Sequence, residues 1–421
     1  MTLPYLNYVT DTDKENAISL EDFNLNSFYQ IEDNRLNGWK EIHGIINANR
    51  TSDYIIIYRE KKVLIDYIST KSFQQVLQAA IAKQVELLIG HASWFYFPVQ
   101  VHDNLFFCQD FLGFDFVIIL QPFFDRIIND EFDEGCYVDQ KLSKLSNKKL
   151  LLYPSFLSKT DKLRKVENLG TSETRTRGFE LVLDSLSKIR EHFRKIDRDC
   201  INNIDDEVLK NLTIPTYIIN LKDRTERFHH ANTQFRNKNE FDVRIVEGCK
   251  HSIGAVGLWH SIRKVIGLAL ENDEDVILIC EDDHMFTEHY SKEHLFNSII
   301  QSDIEGADLL LGGIGGFGQA VRITNGKFWI DNFFSTQFMI IYKRLFKAIL
   351  DAPFDETVTA DELLSKLTQN KMVLFPFISI QKEFGYSDVT QHNVGKGTVD
   401  LLFRDTADRF RLIERIVDIF S

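Results

Sequence analysis

Little in this chain of 421 residues suits secretion, a membrane or a nucleic acid. Cysteine is sparse. Cys108, Cys136, Cys200, Cys249 and Cys280 are odd in number, widely spaced and form no CxxC pair. That argues against a disulfide framework and favours reduced thiols in a cytoplasmic setting. The opening MTLPYLNYVTDTDKE has neither the basic nor the apolar region of a signal peptide. No apolar run approaches the ~20 residues of a membrane span, so any membrane association is expected to be peripheral. Cations are outnumbered, and the net charge of −13 argues against a nucleic-acid partner, which needs a basic surface. No GxxxxGK[ST] occurs, so the chain carries no P-loop. Proline is scarce, at seven residues. What is plentiful is core: 44% of residues are hydrophobic and 34 are phenylalanine. At roughly 100–200 residues per domain, the length predicts two or three domains.

The chain also repeats itself. Shifted by 222 positions, residues 53–156 lie on 275–378 without a gap. Asp53-Tyr-Ile-Ile-Ile falls on Asp275-Val-Ile-Leu-Ile, Leu88-Ile-Gly90 on Leu310-Leu-Gly312, and Phe116-Val-Ile-Ile119 on Phe338-Met-Ile-Ile341. In DQKLSKLSNKKLLLYP (139–154) against DELLSKLTQNKMVLFP (361–376), half the positions are identical. Two unrelated amphipathic helices would match in apolar positions alone. With a two-residue adjustment, Trp39 and Ile42 fall on Trp259 and Ile262. Two copies of one unit are expected, over 1–205 and 213–421, with the polar stretch 197–211 between them. Each ends in a helical tail, Phe179–Ile196 with Leu183, Leu186, Ile189 and Phe193 on one face, and Val399–Phe420.

Strand and helix patterns alternate in the second copy. Strands are expected at Pro215–Leu221, Phe241–Glu247, Val276–Cys280, Leu309–Leu311, Phe333–Tyr342 and Met372–Ile378, with helices at Arg224–Asn237, Ala255–Ala269, Lys343–Leu350 and Asp361–Gln369. This predicts an α/β class built on mostly parallel sheets flanked by helices.

The chemistry concentrates where VILIC runs into Glu281, Asp282 and Asp283. An apolar run bounded by polar residues reads as a strand buried on both faces. Three acids at its end repel one another unless a cation sits among them. Ligands of α/β sheets bind at the carboxyl ends of strands, and Mg²⁺ or Mn²⁺ takes one or two carboxylates plus substrate phosphates. Upstream, YIINLKDRTERF (217–228) ends a buried strand and opens a helix with Asp223, Arg224 and Arg227. Such a start suits a nucleotide diphosphate, or is a solvated first turn with Asp223 as N-cap. GAVGLWHSIRKVI (254–266) opens a helix in which His260 and Ser261 can face a ligand or simply pack. In LLLGGIGGFG (309–318), Gly312 and Gly313 permit close backbone approach, unless the run is only a loop. In TADELL, Asp361 and Glu362 are candidate general bases, although Thr359 and Glu362 also fit a capping box. Gln381, Ser387, Asp388 and His392 follow, His392 as a candidate metal or phosphate contact.

Taken in order, YIINLKDRTERF, the small-residue helix start with Trp259, the strand ending in EDD, STQFMIIYKRLFKAIL (335–350), the Asp-headed helix and ISIQKEFGYSDV (378–389) resemble glycosyltransferase family 25 over about 215–390. The helix start departs from the family's GC…SH, reading GLWHS (257–261). The resemblance implies a GT-A nucleotide-sugar fold, in tandem if the repeat holds. It also implies a divalent metal, a UDP-sugar donor and inversion at the anomeric carbon. It assigns Asp223, Arg224 and Arg227 to the nucleotide and Glu281, Asp282 and Asp283 to the metal and diphosphate. It places Asp361 at the family's late-helix aspartate.

The first copy lacks these groups. Arg59-Glu60-Lys61 stands where Glu281–Asp283 stands, GHASWFYF (90–97) replaces the glycine run, and Gln140 replaces Glu362 while Asp139 matches Asp361. Residues 2–15 are the expected counterpart of the YIINL strand. The first copy is then a pseudo-transferase domain that packs, oligomerises or binds acceptor. The expected whole is an enzyme moving galactose or glucose from a UDP-sugar to a glycan, lipid-linked sugar or protein. The competing expectation is a non-catalytic carbohydrate- or protein-binding scaffold. A nucleotidyltransferase is a third.

Overall fold

The computed structural model describes residues 28–31, 35–59, 71–90, 92–103, 105–131, 136–153, 171–196, 209, 211–354, 356–385 and 397–420. They form two compact units, one of Met1–Ser187 with Ile416–Ser421 and one of Lys188–Arg415.

The first unit carries β1 (Phe28–Gln30), α1 (Leu36–Ala48), β2 (Tyr54–Tyr58), α2 (Lys71–Ala82), β3 (Leu87–Ile89), β4 (Trp94–Tyr96), β5 (Val99–His102), β6 (Leu105–Phe107), β7 (Asp110–Leu112), β8 (Phe116–Leu120), α3 (Phe124–Ile128), α4 (Val138–Leu145) and β9 (Lys149–Leu152). Helix α5 (Thr171–Arg194) follows, and the division between the units falls within it. The second unit carries β10 (Ile214–Asn220), α6 (Thr225–Phe235), β11 (Phe241–Glu247), α7 (Gly254–Glu271), β12 (Val276–Glu281), β13 (His284–Phe286), α8 (Lys292–Ile304), β14 (Leu309–Leu311), β15 (Ala320–Thr324), β16 (Lys327–Ile330), β17 (Phe338–Tyr342), α9 (Lys343–Asp351), α10 (Ala360–Leu367), β18 (Lys371–Leu374), β19 (Ser379–Gln381) and most of α11 (Thr398–Phe420), which the division between the units also crosses.

Both units are mixed α/β, and the expectation of mostly parallel sheets is corrected. The second sheet runs β11-β10-β12-β17-β14-β18-β16-β15. Its β10–β11, β10–β12 and β14–β18 pairings are parallel, whereas β17 runs antiparallel between β12 and β14, and β16 antiparallel to both β15 and β18. A fully apolar run records burial on both faces but carries no sign of direction. Phe338–Tyr342 therefore looked like any other central strand.

The first sheet runs β1-β2-β8-β3-β9-β6-β5. This is the second sheet's order without its β11 edge, and the registers agree residue by residue at the offset of 222. Ile56 faces Ile118 as Leu278 faces Ile340. Leu87 faces Lys149 as Leu309 faces Lys371. A register shift at Gln100/His102 matches one at Arg322/Thr324. One pairing corrects the sequence reading. The strand in β10's place is β1, not residues 2–15, which lie outside the described residues. Phe28 faces Ile56 as Thr216 faces Leu278.

Burial explains the core. On β12, Ile277, Leu278, Ile279 and Cys280 are fully buried. Helix α7 buries Trp259, Ile262, Ile266 and Ala269 along one face, and α1 buries Trp39, Ile42 and Ile46 at the matching positions. No described helix is long and apolar enough to cross a membrane.

Beside the end of β12 lies His284, wholly buried and packed against Phe286 and Phe338, with Nδ1 2.8 Å from Ser379 Oγ. Burial, and then the charges of His230 and Lys238, depress its pKa from 6.5 to about 3. Between these values the unfolded chain binds more protons than the folded one, so stability falls as pH falls. The expected loss is about 1.4 kcal/mol per pH unit from this group, beginning below ~6.5. Urea denaturation of the wild type and His284→Gln between pH 7 and 4 checks this. The variant should show the shallower pH slope, and equal slopes would refute it.

Candidate active site

A cleft of about 1480 Å³ opens at the carboxyl ends of β10 and β12. One part of its lining comes from the β10–α6 turn and the start of α7, with Arg224, Arg227, Lys250, His251 and Gly257. Another is the acidic group at the end of β12. A third comes from Gly315, Phe334, Ser335 and Thr336 and from the start of α10, with Asp361 and Glu362. Gln381, Lys382 and Phe384 also contribute.

The acids already have a cation, and it comes from the chain. Arg227, one turn into α6, puts Nη1 3.0 Å from Asp282 Oδ1 and 3.1 Å from Asp283 Oδ2. All three side chains are 6–8% exposed. The Arg227 guanidinium also lies over the Phe384 ring at 4.7 Å. Asn220 Nδ2 donates to Asp282 Oδ2 at 2.9 Å, and Gln381 Nε2 to Asp283 Oδ2 at 3.0 Å. Thr336 Oγ1 donates to Glu281 Oε1 at 2.6 Å. One arginine does not offset three acids. Burial, and then the charges of Asp283 and Asp282, raise the Glu281 pKa well above the usual carboxylate range. Burial also raises Asp283, against the opposing pull of Arg227 and Gln381.

Among the described residues no three His, Cys, Asp or Glu side chains are grouped to cage a metal. Mg²⁺ and Mn²⁺ do not require such a cage when substrate phosphates complete the shell. The donor set fits that mode. Asp283 Oδ1 is buried without a hydrogen-bond partner among the described residues, and the excess charge around it is negative.

The other predicted residues divide. Asp223 is exposed, outside the cleft lining, and pairs with Lys250. Gly312 and Gly313 also lie outside the lining, and their glycine identity has a packing cause. A Cβ at Gly312 would meet the Phe338 ring at 2.5 Å, and one at Gly313 would meet the Ser379 carbonyl. Within the 309–318 run, Gly315 reaches the cleft. Ser261 lines it, but its Oγ accepts from Cys249 N–H and donates to Gly257 O. His260 is exposed, in an edge contact with His251. Ser387, Asp388 and His392 lie outside the described residues.

Asp361 and Glu362 both line the cleft but are bonded differently. The expected capping box is absent. Thr359 makes no side-chain cap bond to the helix and donates instead to Asp361 Oδ1. That oxygen also accepts the Glu362 N–H at 2.9 Å, while Asp361 Oδ2 accepts the Ser335 N–H at 3.0 Å. Glu362 Oε1 is 2.8 Å from Lys366 Nζ, at a half-exposed position. In the first unit Asp139 likewise accepts from Gln140 N–H at 2.9 Å and from Gly113 N–H at 2.6 Å. The two receiving positions share an unusual backbone, φ +66° at Gly113 and +87° at Ser335. For a serine that left-handed conformation costs roughly 1–2 kcal/mol.

Sequence reasoning missed Asn220, Thr336, Lys250, His251 and Phe384. Asn220 had a visible signal, as the one polar side chain closing a buried run. The others are joined to the site only through the fold.

No protein-family model and no curated protein matches this chain. Solved structures that resemble parts of it weakly include the following two. The protein A197 from STIV is 13% identical with a TM-score of 0.31, over 41% of this chain and 86% of that one. An apo UDP-glucose pyrophosphorylase is 10% identical with a TM-score of 0.28, over 49% of this chain and 85% of that one. Likeness at this level carries no argument, and the functional reading rests on the cleft.

Proposed function

We propose that the second unit is an inverting glycosyltransferase that moves a hexose, galactose or glucose, from a UDP-sugar to an acceptor hydroxyl. The observation that carries this is the placing of the acidic strand end and Glu362 on one cleft at the carboxyl ends of β10 and β12. The resemblance to glycosyltransferase family 25 supports it. Arg224 and Lys250 supply positive charge, and His251 a ring nitrogen, for a diphosphate. Asp283, with Glu281, would hold a divalent cation, which when bound neutralises the departing UDP. Glu362 takes the proton from the acceptor hydroxyl. Asp361 is the poorer base, because both its oxygens already accept backbone or hydroxyl hydrogens, and the same bonds recur at Asp139 where Glu362 has become Gln140. Asp361 is a positioning residue.

The first unit is, on this proposal, a duplicate that has lost the reaction. The shared strand order and register support that origin. Arg59 stands in the place of Glu281, so no divalent cation is expected there.

The purified chain should hydrolyse UDP-galactose or UDP-glucose in the presence of Mn²⁺, releasing UDP. No hydrolysis, together with no shift in unfolding temperature by UDP-sugar and Mn²⁺, would overturn the assignment and leave the scaffold reading. Glu362→Gln should lower transfer by ~10²–10⁴-fold. Its unfolding temperature should be unchanged, since the first unit carries the amide at this place.

A further inference from the structure

The two units solve one packing problem in opposite ways. Gly113 and Ser335 are equivalent, each with its N–H on the helix aspartate and each in the left-handed backbone region. Ser93 and Gly315 are also equivalent, at the same offset of 222. The two positions face each other across each unit's loop pair. A Cβ on Gly113 would run into Ser93 Oγ, and a Cβ on Gly315 would come within 2.9 Å of Ser335 Oγ. Each unit therefore holds one serine and one glycine in this space. The first unit puts glycine where the backbone is left-handed, the arrangement that avoids strain. The second unit puts its serine there and its glycine opposite. Packing alone favours the reverse, so the location of the hydroxyl is what the strain maintains.

That hydroxyl sits on the cleft, and no hydrogen bond holds it among the described residues. Its neighbour on one side is Phe334, 57% exposed and also on the cleft. Its neighbour on the other is Thr336, which bonds Glu281. One carboxylate, Asp361, grips the backbone of Ser335 with one oxygen and that of Glu362 with the other. Ser335 is thereby fixed beside the proposed base and next to an exposed aromatic ring.

We infer that Ser335 is a specificity-determining residue for the acceptor. Its hydroxyl hydrogen-bonds a sugar acceptor while the apolar face of the sugar ring rests on Phe334. This rests on the transferase reading above. The left-handed backbone holds the hydroxyl in place before the acceptor arrives.

Three variants test it: Ser335→Ala, Ser335→Gly, and the exchange Gly315→Ser with Ser335→Gly, which recreates the first unit's arrangement. UDP-galactose and UDP-glucose serve as donors, p-nitrophenyl β-glycosides as acceptors, and water as the reference acceptor. Ser335→Gly and the exchange should raise the unfolding temperature by ~1–3 °C, because they relieve the left-handed serine, whereas Ser335→Ala should not. All three should raise the acceptor KM at least tenfold, a larger change than any in the donor KM or in the rate of hydrolysis by water. Wild-type acceptor kinetics in the exchange variant would overturn the role of Ser335 and leave the transferase reading intact. Lack of any UDP-sugar turnover in the wild type would overturn both.

Discussion

Arg227→Ala is expected to lower the unfolding midpoint by about 10 °C and to abolish turnover. The residue is buried, and it is the charged partner of two buried aspartates. Removing one member of such a group leaves its partners charged in a medium that solvates them poorly, a loss of about 3–5 kcal/mol. For a domain of this size each kilocalorie moves the midpoint by ~2–4 °C. The Phe384 ring would also lose one of the cations over it, while Lys382 stays at 4.7 Å. The cause can be separated from simple cavity formation by Arg227→Met with Asp282→Asn and Asp283→Asn. That triple variant keeps the volume and removes the stranded charges. It should recover most of the lost midpoint in a thermal melt and stay inactive. A triple variant as unstable as Arg227→Ala would show that charge is not the cause.

Asp283→Asn should do the opposite to the fold while matching the loss of activity. One carboxylate remains for Arg227 at Asp282, so the ion pair survives. The variant also removes part of the repulsion that raises the Glu281 pKa. The unfolding midpoint should therefore hold or rise. Transfer should fall by ~10³-fold or more if this carboxylate carries the charge compensation for the leaving diphosphate, since removing such groups costs several kcal/mol of transition-state stabilisation. Full activity in a folded Asp283→Asn protein would remove it from the reaction. A drop in midpoint would show that Asp283 is held for stability instead.

These two expectations mark what the sequence made legible. The acidic strand end was visible because a buried apolar run stopping at three acids is chemically conspicuous, and its need for a cation followed from charge alone. The source of the cation was not visible. Arg227 lies 55 residues from Asp282, and its first turn suited a phosphate as well as it suited a carboxylate pair. The strand positions were legible from Ile277, Leu278 and Ile279, and the direction of β17 was not. The Gly312–Gly313 pair was misleading for a related reason. Glycine marks close approach, and here what approaches is Phe338 and the Ser379 backbone, not a ligand. The internal repeat read further than motif logic did, because it compared positions instead of residue types. It separated Asp361, bonded like Asp139, from Glu362, whose place the first unit fills with an amide.

The shared register also bears on how this chain folds. Two sheets with the same order and spacing offer each nascent strand two partners, and tandem repeats of this kind misassemble by exchanging strands. The apolar centres of β2 and β12 give little discrimination, since Ile55, Ile56 and Ile57 differ from Ile277, Leu278 and Ile279 at one branch point. The ends do discriminate. Correct pairing brings Arg59 beside Asp115, its N–H donating to the Asp115 carbonyl at 2.7 Å; burial lowers the Arg59 pKa, and the charges of Asp139 and then Asp115 oppose that. If β12 took β8 as its partner, Glu281 would occupy that place, acid against acid. Like charges on facing strands are destabilising. Glu281, which marks the cleft, thus also disfavours this exchanged pairing.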